Sequence, residues 1–147
     1  MTKEEFIQRF QMQVLPISVH KFRYPQQLKS AAVLIPILSN NNQLEVVLTK
    51  RASHLTHHPG QISFPGGKVE KFDANFTATA LRETQEVSEV FHVPLSHFLQ
   101  RQHHIQLPVY HHGEHHKVHF MPYNQYNIWG ATAAMLHDLS SLLDNNN

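Results

Sequence analysis

FPGGKVEKFDANFTATALRETQEVSE, residues 64–89, holds a strand end, a turn, an acidic loop and a helix-forming run in one stretch. Phe64-Pro65-Gly66-Gly67 cannot be helix interior, because proline lacks a donor and the two glycines permit backbone angles that other residues avoid. No glycine or proline follows from Thr77 until Pro94, so one helix is expected from about Thr77 to Phe91. At about 100° per residue, Ala80, Thr84, Val87 and Phe91 fall on one side, with Leu81 at its edge. Glu83 and Glu86 lie side by side on the neighbouring arc, with Arg82 and Glu89 beyond them. Two carboxylates one turn apart, facing a glycine turn with open backbone groups, offer a seat to a hard cation that keeps some of its waters. Arg-Glu-x-x-Glu alone describes many solvated helix faces; the Gly-Gly turn and Asp73 make this pattern more specific.

Composition narrows the remaining classes. A chain of 147 residues with 41% hydrophobic content is expected to form one domain. A net charge of +1 gives no electrostatic case for nucleic acid or for an anionic membrane. With Cys 0 there is no disulfide, no thiolate metal site and no cysteine nucleophile. The charged start Met1-Thr2-Lys3-Glu4-Glu5 lacks the apolar centre of a secretory signal. The run from Ala31 to Leu38 is too short to span a bilayer and contains Pro36. The expected location is therefore cytoplasmic. The 14 His group as His57-His58, His103-His104, His111-His112 and His115-His116. Sequence neighbours point in different directions on a strand or helix, so these pairs read as polar filler more readily than as a transition-metal site.

Around this stretch the elements follow from local signals. Thr2 and Glu5 fit a capping box, and Phe6, Ile7, Phe10 and Val14 recur at helical spacing, predicting a helix over Lys3–Gln13. Residues 17–29 read as an irregular, partly basic leader. Ala31–Leu38 and Leu44–Thr49 read as strands joined by Ser39-Asn40-Asn41-Asn42, with Pro36 confining the first to an edge or bulge. Gln61–Phe64 is a short strand into the glycine turn. Arg51 is the cation to place near phosphate, since a guanidinium grips two oxygens at once, although a surface ion pair explains it equally well. Pro94 can open a short helix. Ile105–Tyr110 and Lys117–Met121 flank a turn at His111–Glu114, and Tyr126–Trp129 is extended. Gly130–Leu143 is an amphipathic helix with Ala134, Leu136, Leu139 and Leu143 inward. The organisation is a leader over residues 1–29, a hairpin, glycine turn and acidic helix over 30–91, and a hairpin and helix over 92–147.

The stretch from Gly66 to Glu86 resembles the Nudix box, in which a glycine, an acid and Arg-Glu-x-x-x-Glu-Glu lie on a loop and helix. Val47-Leu48-Thr49-Lys50-Arg51, Gly60 and Phe64-Pro65-Gly66-Gly67 resemble the further signature of its coenzyme A pyrophosphatase branch, with Ala52 and Thr56 where Ser and Arg are usual. The resemblance implies an α+β fold, a Nudix-like mixed sheet between helices. It implies a Mg2+- or Mn2+-dependent hydrolase of a small diphosphate such as coenzyme A, without nucleic acid or membrane partners. Glu83 and Glu86 would be catalytic and, with Gly66, metal-binding; Arg51, Gly60, Gly66 and Gly67 would bind substrate. Val87 stands where the family has a metal-binding Glu, so magnesium should bind weakly and Val87→Glu should strengthen it.

Glu89-Val90-Phe91-His92-Val93-Pro94-Leu95 resembles a family segment found well beyond the box, and Ile128-Trp129-Gly130-Ala131-Thr132-Ala133 resembles the domain's end. These placements imply an internal deletion near Glu86 that removes central strands, with a homo-oligomer one way to cover what is exposed. The alternatives are a catalytically degenerate relative that binds nucleotide or has no function, and a His-rich metal-binding protein.

Overall fold

The computed structural model describes residues 1–11, 33–54, 56, 58–65, 87–111 and 113–144, the side chain of residue 111 excepted. The chain opens with α1 (Lys3–Gln11), closed at its N-terminus by the expected capping box. Glu5 N–H donates to Thr2 Oγ1 at 3.2 Å, and Thr2 N–H donates to Glu5 Oε2 at 2.8 Å. The predicted end of this helix, at Gln13, lies outside the described residues.

β1 (Ile37–Asn40) and β2 (Gln43–Arg51) form an antiparallel hairpin. Asn41 and Asn42 both take positive φ, 46° and 62°, as a two-residue turn requires and as asparagine tolerates. Val33 to Pro36 were expected within the first strand and are not part of it. Proline has no N–H for a ladder, so regular pairing begins only after it, and Pro36 contributes its carbonyl alone, accepting from Val47 N–H at 3.0 Å.

β2 organises the four-stranded sheet. Thr49 and Lys50 pair with β3 (Ile62–Ser63) and also with β4 (Val87–Pro94), so these two strands occupy opposite edges of β2. Every pairing among the described residues is antiparallel. Val87 to Phe91 correct the sequence reading: they are strand, not the last turn of a helix from Thr77. Val87, Val90 and Val93 are β-branched, and alternation along this segment buries Phe91 and Val93 against Val46 and Leu48. The expected helix from Thr77 to Glu86 lies outside the described residues.

Pro94 ends β4 and opens α2 (Leu95–Leu99), whose N-cap position it occupies. A 3₁₀ turn, Arg101–His103, leads into β5 (Ile105–His111), paired with β6 (Glu114–Phe120) in a separate two-stranded sheet. The turn here is tighter than expected: His111 pairs with Glu114, and β6 starts three residues before the predicted Lys117. Gly113 supplies a φ of +81° that few other residues accept. The last described element is α3 (Ala131–Asp144). This helix buries Ala133, Leu136, Leu139, Leu142 and Leu143, while Ala134, expected inward, is half-buried.

The core forms between the four-stranded sheet and the two helices α2 and α3. Leu44, Val46 and Leu48 from β2 meet Phe91 and Val93 from β4, Leu95 and Phe98 from α2, Met121, Ile128, and Leu136 and Leu143 from α3. Thr132 Oγ1 donates to the Ile62 carbonyl at 3.0 Å, fixing the start of α3 over β3. α1 packs outside this core, and Arg9 donates to the Leu143 carbonyl at 3.2 Å, satisfying a helix-end acceptor of α3. Phe98 is among the largest fully buried side chains. Phe98→Ala is expected to cost about 3–5 kcal/mol, read as a lower denaturant midpoint at unchanged slope.

Candidate functional site

One end of the four-stranded sheet gathers the described residues to which the sequence assigns chemistry. β2 finishes there at Lys50 and Arg51, with a register shift between them, and β4 begins there, Val87 standing opposite Arg51 and Glu89 opposite Lys50. The loop after β2 folds back on this strand end. Arg51 N–H donates to the Gln61 carbonyl at 2.9 Å, and Gly60 N–H donates to the Arg51 carbonyl at 3.2 Å. Gly60 has φ +69° with open space where a Cβ would stand, so backbone strain rather than crowding selects glycine. Phe64 is buried beneath, and Thr49 Oγ1 donates to the Ser63 carbonyl at 3.1 Å. On the opposite edge, Ser88 Oγ donates to the Lys50 carbonyl at 3.2 Å.

Arg51 and Gly60 are thus brought together by backbone hydrogen bonds. Gly66, Gly67, Glu83 and Glu86, with Asp73, lie outside the described residues. The chain leaves the described part at Pro65 on one edge of β2 and returns at Val87 on the other. Glu86 is therefore one peptide bond away from the residue paired with Arg51. Because Val87 belongs to β4, a carboxylate introduced there would extend from a strand facing Arg51. The expectation that Val87→Glu restores a helical acid pair consequently loses its geometric basis.

The sequence reading did not assign a partner to Glu89. Its carboxylate accepts a hydrogen bond from the Tyr126 hydroxyl through Oε1, and the Tyr126 ring stacks on Phe91 with centroids 3.7 Å apart. The signal was the segment's extended character: in a strand, Glu89 and Phe91 share a face. The hydrogen bond to Glu89 raises the Tyr126 phenol above its ordinary value, with desolvation and the carboxylate's charge adding to the effect. A raised folded-state pKa for an acid means that stability is intact below the unfolded value of 10.0 and is lost as pH rises through the folded value. Melting between about pH 9 and pH 11 should show this loss, and Tyr126→Phe should flatten it.

Among the described residues no group of three or more His, Asp or Glu is placed to hold a metal ion. His115 and His116 pair with Tyr110 and Val109 and so point to opposite faces of the hairpin, as neighbours on a strand must. No described helix is long and apolar enough to cross a membrane.

The NUDIX domain family model matches residues 28–139. The chain belongs to the Nudix family. Uncharacterized Nudix hydrolase NudL of Salmonella dublin is 33% identical over 95% of this chain and 94% of its own length. NudL of Salmonella typhimurium is 32% identical over the same shares. The first of these alignments runs over 185 positions against a chain of 147 residues, so at least 38 aligned positions have no residue here. Since both chains are covered almost end to end, that shortfall is internal. Nudix hydrolases act on small diphosphates and generally use divalent cations, and the α+β architecture with antiparallel sheets agrees with membership.

Proposed function

We propose that this Nudix protein hydrolyses coenzyme A or a related ADP-linked diphosphate in the cytoplasm, with magnesium or manganese, at a rate reduced by an internal deletion near Glu86. The observation that carries the reading is the pairing of Arg51 with Val87 beside Gly60, which brings the chain back from the acidic segment at the cation suited to phosphate. Glu83 and Glu86 are the carboxylates assigned to the metal, a donor set that suits a hard divalent cation. The metal would neutralise phosphate charge and lower the pKa of a bound water. Glu83 or Glu86 would take the proton from the attacking water, and Arg51 would hold the diphosphate with two N–H groups while Gly60 leaves the backbone open beside it. Gly66 and Gly67, assigned to substrate by the family resemblance, would add no side chain beside the phosphates.

A second reading, a catalytically degenerate relative that binds nucleotide, is favoured by the strand beginning at Val87. That strand leaves no helical turn after Glu86 to carry the second acid of the usual pair. Coenzyme A incubated with the purified chain and magnesium or manganese separates the two. Release of phosphopantetheine that depends on the metal supports hydrolysis; binding without release supports the second reading. We also propose that two copies associate to cover apolar surface left by the missing positions.

A further inference from the structure

Five imidazoles gather where α2, the 3₁₀ turn, β6 and α3 meet. His97 and His103 stack with centroids 4.0 Å apart and planes inclined by 18°. His104 and His119 each approach His137, at 5.5 Å and 4.8 Å. Backbone carbonyls fix the tautomers of three of these rings, because a carbonyl oxygen only accepts. His97 donates from Nε2 to the Pro122 carbonyl at 2.9 Å, His103 from Nδ1 to the His97 carbonyl at 2.9 Å, and His104 from Nε2 to the Phe98 carbonyl at 2.6 Å. Each neutral ring thus spends its one proton on holding the backbone.

Among the groups facing His97, none offers a carboxylate to a further proton on its ring. The groups facing His97 are His103 from the 3₁₀ turn, His104 just after it, and Tyr123, whose ring meets it edge-on at 4.9 Å. Asp138 lies 3.5 Å from His137, and Asp144 holds Arg101 at 2.8 Å. The Pro122 carbonyl and the Tyr123 ring tie the segment from Met121 to Trp129 to α2. The same segment sets Tyr126 on Glu89 and stacks Trp129 on Phe120.

We propose that His97, stacked on His103, is an acid-sensitive latch, holding the 121–129 segment against α2 while its ring is neutral and releasing it when that ring charges. A charged His97 leaves the stacked, half-buried position against a second imidazole for water. Burial first, and then the neighbouring His103, hold His97 below its ordinary value of 6.5. A lowered folded-state pKa for a base means that the latch is fully stable above pH 6.5 and weakens as pH falls from there through the folded value.

Trp129 is the only tryptophan, so its emission reports on this segment directly. Titrating the full chain from about pH 8 to about pH 5 should give a reversible change in Trp129 emission centred below the ordinary histidine value. His97→Phe keeps a ring against His103 but takes no proton, and should abolish that change. Proton NMR of the unmodified chain should show the His97 ring titrating below 6.5, and His103→Phe should move it upward. The latch is refuted if His97 in the unmodified chain titrates at or above 6.5, a result that needs no variant to fold. It is equally refuted if the Trp129 transition survives unchanged in both variants.

Discussion

Coenzyme A hydrolysis by the purified chain should run at least ~100-fold below that of a Nudix enzyme with the complete box, and Glu83→Gln should remove a further ~10²–10⁴-fold. Losing a partner that merely orients a metal ligand costs 10–100-fold, and losing a ligand is at least as severe. In this chain the position after Glu86 is Val87, and it lies in a strand opposite Arg51 rather than on a helix beside Glu86. On the proposed reading, Glu83 and Glu86 would neutralise less charge than a complete acid set and would fix the attacking water less well. Manganese and magnesium titrations followed by product release measure both effects. Turnover within tenfold of an intact enzyme would refute the proposed impairment, and turnover unaffected by Glu83→Gln would remove Glu83 from the reaction.

Self-association is the second large effect expected. Strand parity puts Ile105, Leu107 and Val109 on one face of the β5–β6 hairpin, opposite Phe120, Val118 and His116. These three side chains are 43%, 47% and 40% exposed, and Trp129, stacked against Phe120, is 42% exposed. α3 reaches the hairpin from its other face, where His119 meets His137, and so does not cover them. Among the described residues β4 pairs with β2 alone, leaving Val90 half exposed at the sheet's edge. Unpaired edges and contiguous apolar faces favour contact with another chain. Pro108 moderates the edge: having no N–H to exchange with Lys117, it sits at a non-hydrogen-bonded pair and leaves the outer edge of β5 short of a donor. Contact through the apolar face is therefore favoured over strand addition. Light scattering should give a mass above that of one chain, and the melting midpoint should rise with protein concentration. Leu107→Lys should shift the population toward monomer with little loss of fold. A monomer with a sharp melt at every concentration would refute this.

Much of the fold could be read locally. The Thr2–Glu5 capping box, the Asn41-Asn42 turn, the break at Pro36 and the helix opened by Pro94 each depend on a few neighbouring residues whose backbone preferences dominate. Family membership was equally legible, because the glycine turn, Arg51, Gly60 and the acidic helix pattern occur at fixed spacings along the chain. The candidate site was legible only in part: Arg51 and Gly60 lie together at the end of β2, but Glu89 gained its partner Tyr126 from 37 residues away.

The segment 87–94 marks the boundary between what sequence and tertiary structure decide. Its apolar residues satisfy a helical face and a strand face at once, and nothing local stops a helix before Pro94. The free edge of β2 decides the matter, because pairing from Glu45 to Arg51 satisfies the backbone groups of the segment that face β2 and buries Phe91 and Val93 against Val46 and Leu48. Which hairpin face α3 covers is likewise fixed only by packing, since the alternation of β5 and β6 supplies two faces but names neither as inner. Local preference amounts to at most about 1 kcal/mol per residue, whereas burying one large apolar side chain contributes about 1.5–3 kcal/mol, so the long-range contact prevails.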